Sequence, residues 1–540
     1  MGLDKQIFCY AVGTDAFYFP EEKEVHSRLL RLYSARKRLK ESKKIDKAVV
    51  KWRLSAINRI IKKEKEKLTE LLDKNTEERR IRELNGSAII DKNVISLFES
   101  SLTRAMQIKT NELTDNIFVV NVFFFQVFEN IVKDGFVYNG EKYVFLTASA
   151  GQIRQKKAVF VKESVYEKIQ MRLMCGLTID RINEWGGMST NKFLAYRALS
   201  NSATDVWEDF DIDKSIVVDD FETMVTDVVD YIDEETIEIT RQKMPVPIPH
   251  MDGCGIMLKQ KTRMLRLPWV KGLMIRFPFD EFIREKCPNG KAIVEDIYGK
   301  KHDILEEGIE YILTKSQFKT WKYYNDWEEY KTYFKEYGCE SCYCNIEEDN
   351  IPNARINYQM LQTLTDMTDD EIANLVAETN NEIEQIGVDY RTTMRLLGAT
   401  ERNKEPNYFQ QALMLYPELF KDSYSKEILK QTKKSLIKQG KSGRVRVNGG
   451  FRFISPDLYS FCEWLFLGIE VPKGLLANGE VYCHAFDNGE ELACLRSPHL
   501  YREWAIRKNV RNDEIDYWFR DTECIYTSTF DTISRILQFD

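Results

Sequence analysis

No stretch of this 540-residue chain stays apolar long enough to cross a bilayer. The most apolar run, Ile117 to Phe128, is interrupted by Asn121 and Gln126 and falls short of the roughly 20 residues that a spanning helix needs. It reads as a buried strand or a core helix, and no membrane is implied. The start, MGLDKQIFCYAV, has neither an apolar core segment nor a cleavage pattern, so nothing marks the chain for export and a cytoplasmic protein is expected. Proline and glycine, at 13 and 26 residues, are too few for a disordered chain. The eleven cysteines are odd in number and scattered, which fits reduced thiols better than a disulfide framework. No clustered Asp, Glu and His constellation speaks for a metal-dependent nuclease.

What is present is length and segregated charge. A chain of 540 residues exceeds one core and implies three or four domains, and its 43% hydrophobic, 30% charged and 12% aromatic residues are those of a folded globular protein. The net charge of −7 hides a basic stretch, Lys23 to Arg82, with 21 Lys and Arg against 9 Asp and Glu. It also hides an acidic belt, 205–238, with 14 acids against one Lys. Patches rather than the sum decide partners.

From Glu21 to Leu84 the chain is rich in Lys, Arg, Glu and Leu with Leu68, Leu71 and Leu72 at helical spacing, which predicts two or three long helices, such as an antiparallel pair. Ser87 to Met106 reads as a strand and a helix. Tyr143 to Lys162 reads as a hairpin whose tip carries Arg154, Lys156 and Lys157. A helix between the acidic belt and Pro245 is expected to form a domain boundary. Trp321, Tyr323, Tyr324, Trp327, Tyr330, Tyr333 and Phe334 stand in one short charged stretch and read as a packed face rather than a base-stacking platform. Residues 353–438 are helical in pattern.

The densest chemistry lies in PVPIPHMDGCGIMLKQKTRMLRLPWVKGLMIRFPF, Pro245 to Phe279. Prolines hold the approach extended, Asp252 to Gly255 form a tight turn, and two glycines around a small residue let backbone pass close to something bulky. Lys259, Lys261, Arg263, Arg266 and Lys271 against Asp252 alone suit a polyanion. Asp252, beside His250, reads as a cap for backbone N–H groups rather than a metal ligand. Cys339, Cys342 and Cys344 form CxxCxC; a structural zinc needs a fourth ligand, for which Cys287 is the nearest candidate, and a metal-free cluster of reduced thiols is the alternative. Between Gln431 and Arg446 stand Lys433, Lys434, Lys438, Lys441, Arg444 and Arg446 and no acid. Gly440, Gly443, Gly449 and Gly450 break the helix there, and the basic flexible junction suits a phosphate backbone. The last hundred residues return to strand patterns, with turns at Gly449 and Gly450, Pro472 to Gly474, and Asn478 and Gly479.

DGCGIM followed by RLPWVKG resembles the first signature of the single-chain RNA polymerases built on two double-psi β-barrels, the RNA-silencing type of RNA-dependent RNA polymerase and its phage and prophage relatives. TASAGQIR and NKFLAYRALSNSAT resemble segments that precede that signature, and CLRSPHLYREWAIR resembles the segment ahead of the family's DxDGD metal loop. Asp540 stands where that loop's first aspartate begins; its two partners are not in the sequence, so the chain reads as truncated or split and the second barrel as incomplete.

The resemblance implies an α+β chain. Its expected parts are a basic helical region over 1–110, an α/β region over 111–244, a first double-psi β-barrel with a Cys-containing insertion over 245–345, a helical connector over 346–438 and an incomplete second barrel over 439–540. It implies nucleotidyl transfer from NTPs to an RNA 3′ end, with Mg²⁺ as cofactor and a nucleic-acid template, DNA favoured over RNA. Asp540 would be a partial Mg²⁺ ligand and Lys271 a cation facing the triphosphate. Arg266, Arg496, Arg502, Lys433, Lys434, Arg444 and Arg446 would contact nucleotide or nucleic acid. One terminal aspartate cannot hold two metal ions, so the chain alone is expected to be inactive. The alternatives are a non-catalytic nucleic-acid-binding or scaffold subunit, or half of a split polymerase completed by a second chain.

Overall fold

The computed structural model describes residues 5–41, 46–86, 89–148, 151–153, 156–349, 351–362, 364–403, 406–496 and 504–534. The fold is mixed α+β, in two compact units. The first comprises Met1–Glu208, Arg266–Trp269 and Glu328–Cys342, the second Asp209–Leu265, Val270–Trp327 and Tyr343–Asp540.

The first unit is organised by a seven-stranded sheet, in the order Arg82–Glu83, Phe136–Tyr138, Glu141–Ala148, Lys157–Lys162, Leu113–Asn121, Gln6–Gly13 and Val94–Phe98. The apolar run supplies its interior strand, and Ile117, Phe118, Val119 and Val120 are all fully buried. Such a strand has no polar alternation because both faces are covered. Alternate residues serve opposite cores: Phe118 and Val120 meet Val25, Leu29, Leu68 and Leu72, while Ile117 and Val119 meet Leu102, Ile169 and Leu173. The expected basic helices are Pro20–Glu41 and Lys47–Glu77; Asp46 caps the second by accepting from the N–H groups of Ala48 and Val49. The expected hairpin is Glu141–Ala148 with Lys157–Lys162, though Arg154 at its tip lies outside the described residues.

An ion pair ties the first of these helices to the sheet. Arg82 and Glu22 are both fully buried and join through two contacts, at 2.7 and 3.1 Å. Arg82 also donates to Asn130 and to the Phe17 carbonyl, while Glu22 accepts from Asn75 and the Phe19 N–H. Every charge is thereby matched, the condition for keeping ions out of water.

The second unit repeats one arrangement. Ser215–Val218, Cys254–Met257, Val270–Arg276 and Tyr311–Thr314 are strands one to four in chain order and lie in the spatial order three, two, four, one. Neighbours run parallel, antiparallel and parallel. Ile454–Pro456, Glu480–Tyr482, Trp504–Asn509 and Ile525–Thr527 show the same order and the same senses. In each set the third strand pairs with the strand just before it, Arg263–Leu267 or Glu491–Leu495, and is followed by a short helix, Phe279–Lys286 or Asp513–Trp518. One core serves both sets: Ile256, Ile275 and Phe277 of the first pack with Tyr482, Trp518 and Tyr526 of the second. Phe277 and Trp518 stack at 6.1 Å, and Phe519 and Tyr526 at 4.0 Å.

Between strands one and two the sets differ. The first inserts an antiparallel ribbon, Glu222–Ile232 with Ile239–Pro249, so the helix expected before Pro245 is absent and the 244/245 boundary falls inside a strand. Pro245, Pro247 and Pro249 occupy alternate positions of an uninterrupted ladder, so their missing N–H groups lie on the outer edge, which is stripped of donors for edge pairing. The second inserts the helix Leu458–Leu467, in a region read as strands. Asp457 caps that helix at Ser460 and also accepts from the N–H groups of Leu475 and Leu476. The aromatics after Trp321 form the expected packed face: Tyr323, Tyr324, Trp327, Tyr330 and Phe334 are buried. The connector is helical, with Asp369–Gln385, Tyr390–Leu397, Tyr408–Leu415 and Ser423–Lys441 as its main helices.

Two stability measurements follow. Arg82→Met leaves the Glu22 carboxylate buried and unpaired and should cost about 3–5 kcal/mol in urea unfolding, with part recovered in Arg82→Met/Glu22→Leu; a loss under about 1 kcal/mol would contradict the ion pair's role. Burial pushes the Asp457 carboxyl up to about 6. Between about pH 4 and pH 6 the folded state therefore holds a proton that the unfolded state has released, so this group makes stability fall as pH rises. Asp457→Asn should remove that component of the unfolding midpoint across this window, and identical pH slopes in the two proteins would refute it.

Candidate nucleic-acid interface

In the second unit, Lys271 is placed by a crossing of backbones. Gly253 sits at φ 71° in the turn before Cys254–Met257, and its carbonyl accepts from the Leu273 N–H at 2.8 Å. A Cβ on Gly272 would lie 2.3 Å from that carbonyl oxygen, and one on Gly255 2.6 Å from the Ile312 carbonyl oxygen. Both would also collide with the side chain of Gln317, which is fully buried, accepts from the Thr314 N–H at 3.0 Å and donates to the Leu273 carbonyl at 3.1 Å. The bulky group that the glycines admit is therefore Gln317, a residue that no motif or spacing marked. Lys271 stands half-buried in the strand Val270–Arg276, with its N–H on the Gln317 carbonyl at 3.1 Å.

Asp252 does not cap this turn. It is exposed, and among the described residues no backbone N–H reaches its carboxylate. The Gly253 N–H instead donates to Ser316 Oγ at 2.8 Å, and the Ser316 N–H to Asp220 at 3.0 Å. Burial pushes the Asp220 carboxyl up, and the nearby Asp252 charge adds to it. His250 is fully buried with Nε2 2.7 Å from Thr223 Oγ1, and burial pushes it down to about 4, so the ring is neutral near pH 7. Of the other cations nearby, Lys259 pairs with Glu310 at 2.8 Å, Lys261 pairs with Asp349, and Arg263 lies over the Tyr343 ring at 5.0 Å.

In the first unit, two of the sequence segments meet in one cleft. Tyr196, Arg197 and Ser200 line it together with Arg266, Pro268 and Trp269. Arg172 and Glu340 complete the charged lining, and Glu340 is already engaged by Arg104 at 2.9 Å and Arg172 at 2.6 Å. Burial pushes the Arg197 guanidinium down. Trp269, at φ 64°, donates Nε1 to the Met174 carbonyl at 2.6 Å and stands 5.9 Å from the Phe193 ring. Gln152 of TASAGQIR is structural: its amide both donates to and accepts from the Phe98 backbone at 2.7 Å. A Cβ on Gly151 would lie 2.9 Å from the Asn201 carbonyl oxygen. The cleft is a partly enclosed cationic recess suited to an anionic group.

Arg496 follows Glu491–Leu495 at the connection into Trp504–Asn509, the place in the second set that corresponds to the connection just ahead of Lys271 in the first. Arg502 and Asp540 lie outside the described residues. Just beyond the fourth strand, buried Asp531 accepts from Arg507 at 2.6 Å and from the N–H groups of Gly479 and Ile533.

The basic junction is more ordered than its glycines imply, since the helix Ser423–Lys441 runs through Gly440. Lys434 and Arg444 are exposed and Lys433 is half-buried. Arg446 is turned inward, onto Glu378 at 3.1 Å and onto Glu382, a buried carboxylate that also receives Arg355 and Arg395. Its charge is neutralised within the fold, so it is not a phosphate contact.

The CxxCxC cysteines hold no ligand set. Cys339 Sγ faces the Arg172 carbonyl at 3.1 Å, Cys342 Sγ is 3.2 Å from Arg104, and Cys344 Sγ faces the Met264 carbonyl at 3.9 Å. Burial pushes the Cys342 thiol up to about 11. Among the described residues no three His, Cys, Asp or Glu side chains gather as a metal site, which corrects the zinc expectation. All eleven cysteines are free, and no described helix is long and apolar enough to cross a membrane.

The family model described as RNA dependent RNA polymerase matches residues 58–499. The DNA-directed RNA polymerase YonO of Bacillus phage SPbeta is 48% identical over 543 aligned residues, covering 100% of this chain and 63% of that protein. This chain therefore spans less than two thirds of that relative's length. By the extent of the match, the chain belongs to the RNA-dependent RNA polymerase family, on its phage-type, single-chain side.

Proposed function

We propose that the chain carries much of the body of a template-directed RNA polymerase, which transfers nucleotides from NTPs to an RNA 3′ end with DNA as the favoured template. The observation that carries this reading is the twice-repeated four-strand arrangement, whose first set and the start of whose second lie within the family match over residues 58–499. We read the two sets, at 215–314 and 454–527, as the family's two double-psi β-barrels. The relative's description as DNA-directed supports a DNA template.

In this reading the 3′-hydroxyl attacks the NTP α-phosphate, and negative charge grows on the phosphate oxygens as the pyrophosphate leaves. Lys271 would neutralise that charge, held in place by the Gly253, Gly272 and Gln317 crossing, and such fixed cations act most strongly where water is excluded. Arg496 and Arg502 would do the same from the second set, and Arg266, Lys433, Lys434 and Arg444 would contact nucleotide or strand phosphates. Mg²⁺ is the family's cofactor, but the described residues bring no carboxylate cluster together to hold it, and Asp540 lies beyond them. No step is therefore assigned to a metal here.

A second reading, for the 540-residue polypeptide by itself, is that it binds nucleic acid without synthesis, through exposed cations such as Lys434 and Arg444. Single-stranded oligonucleotide should bind at low salt with a log–log slope of roughly −0.7 per neutralised phosphate, and no templated product should form in Mg²⁺ or Mn²⁺. Product from a preparation free of other polymerases would overturn the inactive part, and salt-independent binding the electrostatic part.

In protein competent for synthesis, Lys271→Ala should slow incorporation by about 10²–10³ while leaving template affinity unchanged. Lys259→Ala, whose charge is already met by Glu310, should cost almost nothing. Equal losses in the two variants would remove Lys271 from the active site.

A further inference from the structure

The helical connector contains a cleft to which neither the family resemblance nor the reading of Lys271 assigns a role. It measures about 440 Å³, within the range of ligand pockets. Its floor is apolar, with Leu396, Leu397 and Ile428, and its mouth is aromatic, with Tyr408, Phe409 and Tyr424. Tyr408 is 89% exposed and Tyr424 64%, a large cost in hydration for two rings on a helical surface. Phe409 meets the Tyr424 ring edge to face at 5.6 Å, which fixes that wall.

Charge indicates the occupant. The helix Ser423–Lys441, which supplies Tyr424 and Ile428 to the cleft, carries Lys426, Lys430, Lys433, Lys434, Lys438 and Lys441 against Glu427 alone. An apolar, aromatic-lipped recess on a polycationic helix matches a ligand with a flat π-face on an anionic chain, whereas an apolar peptide would gain nothing from the lysines. Two of the polar residues that line the cleft are engaged with each other and with backbone. Asn407 accepts from the Gln410 N–H, and the Gln410 amide accepts from the Asn407 N–H and donates to the Leu397 carbonyl. The Gln410 amide, bonded at both ends, is not available to read base edges.

We propose that this cleft captures one unpaired base of a single-stranded nucleic acid by stacking on Tyr408 and Tyr424, without sequence preference, while the lysines of the same helix hold the flanking phosphates. Base–aromatic stacking is tolerant of sequence because every base presents a π-face. The proposal deepens the polymerase reading and rests on the chain handling single strands. It adds a holding point on the connector, separate from the strands that bear Lys271.

The test uses the 540-residue chain and a short single-stranded oligothymidylate carrying one 2-aminopurine, in deoxy and ribo forms, at low salt. Stacking should quench the 2-aminopurine fluorescence. Tyr408→Leu/Tyr424→Leu should abolish the quench and weaken binding about 10- to 100-fold, while Lys434→Ala should weaken binding and steepen its loss with salt less, keeping the quench at saturation. Tyr408 lies open to solvent, so Tyr408→Leu alone, which should lose part of the quench, serves if the double variant fails to fold. Unchanged quench and affinity in the tyrosine variants would overturn the pocket and leave the polymerase reading standing. Absence of any binding by the unsubstituted chain would overturn both. Equal quenching by free 2-aminopurine nucleotide at the same concentration would also overturn the proposal, because the site would then serve a free nucleotide rather than a strand.

Discussion

Two backbones and one side chain meet in the second unit with no room for a Cβ, and much of the rest depends on that contact. The Gly253 carbonyl, the Leu273 N–H and the Gln317 amide close a small hydrogen-bonded knot, with Gly255 and Gly272 as its walls. Because the interior is close-packed, such a crossing cannot drift by even a methyl group without moving its neighbours. A cation one residue from a glycine is ordinarily an adaptable surface charge. Here the knot fixes the base of the Lys271 side chain against the strand that carries it, which is the condition for a charge to act at one place in a reaction.

The same logic extends to the repeated arrangement. Each set is a small sheet whose strand order, three, two, four, one, forces connections to cross, and neither set buries its apolar face alone. Sharing one core, through pairs such as Phe277 with Trp518, couples the two sets mechanically. The insertions between first and second strands are where the copies differ, one a ribbon edged with prolines and the other a helix anchored by buried Asp457. The shared frame is kept while insertions vary, as expected of loops and appendages on a packed scaffold.

Much of the layout was legible beforehand, and the exceptions have physical causes. Ile117 to Val120 could be read as buried but not as strand or helix, because periodicity vanishes when both faces are covered. The helix Leu458–Leu467 was missed for the same reason: it is short and apolar almost all round. The stretch between the acidic belt and Pro245 was read as helix but belongs to the strand Ile239–Pro249, because so short a polar segment carries no period and only pairing partners distinguish the two. Of the two DGCG glycines read as close-approach positions, Gly255 is one and Gly253 instead supplies a positive φ, while the tight packing at Gly272 and the role of Gln317 were invisible since a lone glutamine carries no pattern. Composition placed Arg446 among the phosphate contacts, whereas Glu378 and Glu382, more than sixty residues away in sequence, neutralise it. The Asp252 cap failed because Ser316 reaches the same N–H first.

The claim that the Lys271 strand faces an NTP is best tested by chemistry that reports position rather than rate. An NTP bearing an amine-reactive group on its terminal phosphate should, at low salt and near neutral pH, label Lys271 selectively, as located by peptide mass spectrometry. Unmodified NTP should protect that residue, and Gly272→Ala, which would displace the Gly253 carbonyl, should abolish the selectivity. Labelling spread evenly over exposed lysines such as Lys259 and Lys434, or unaffected by competing NTP, would contradict the account.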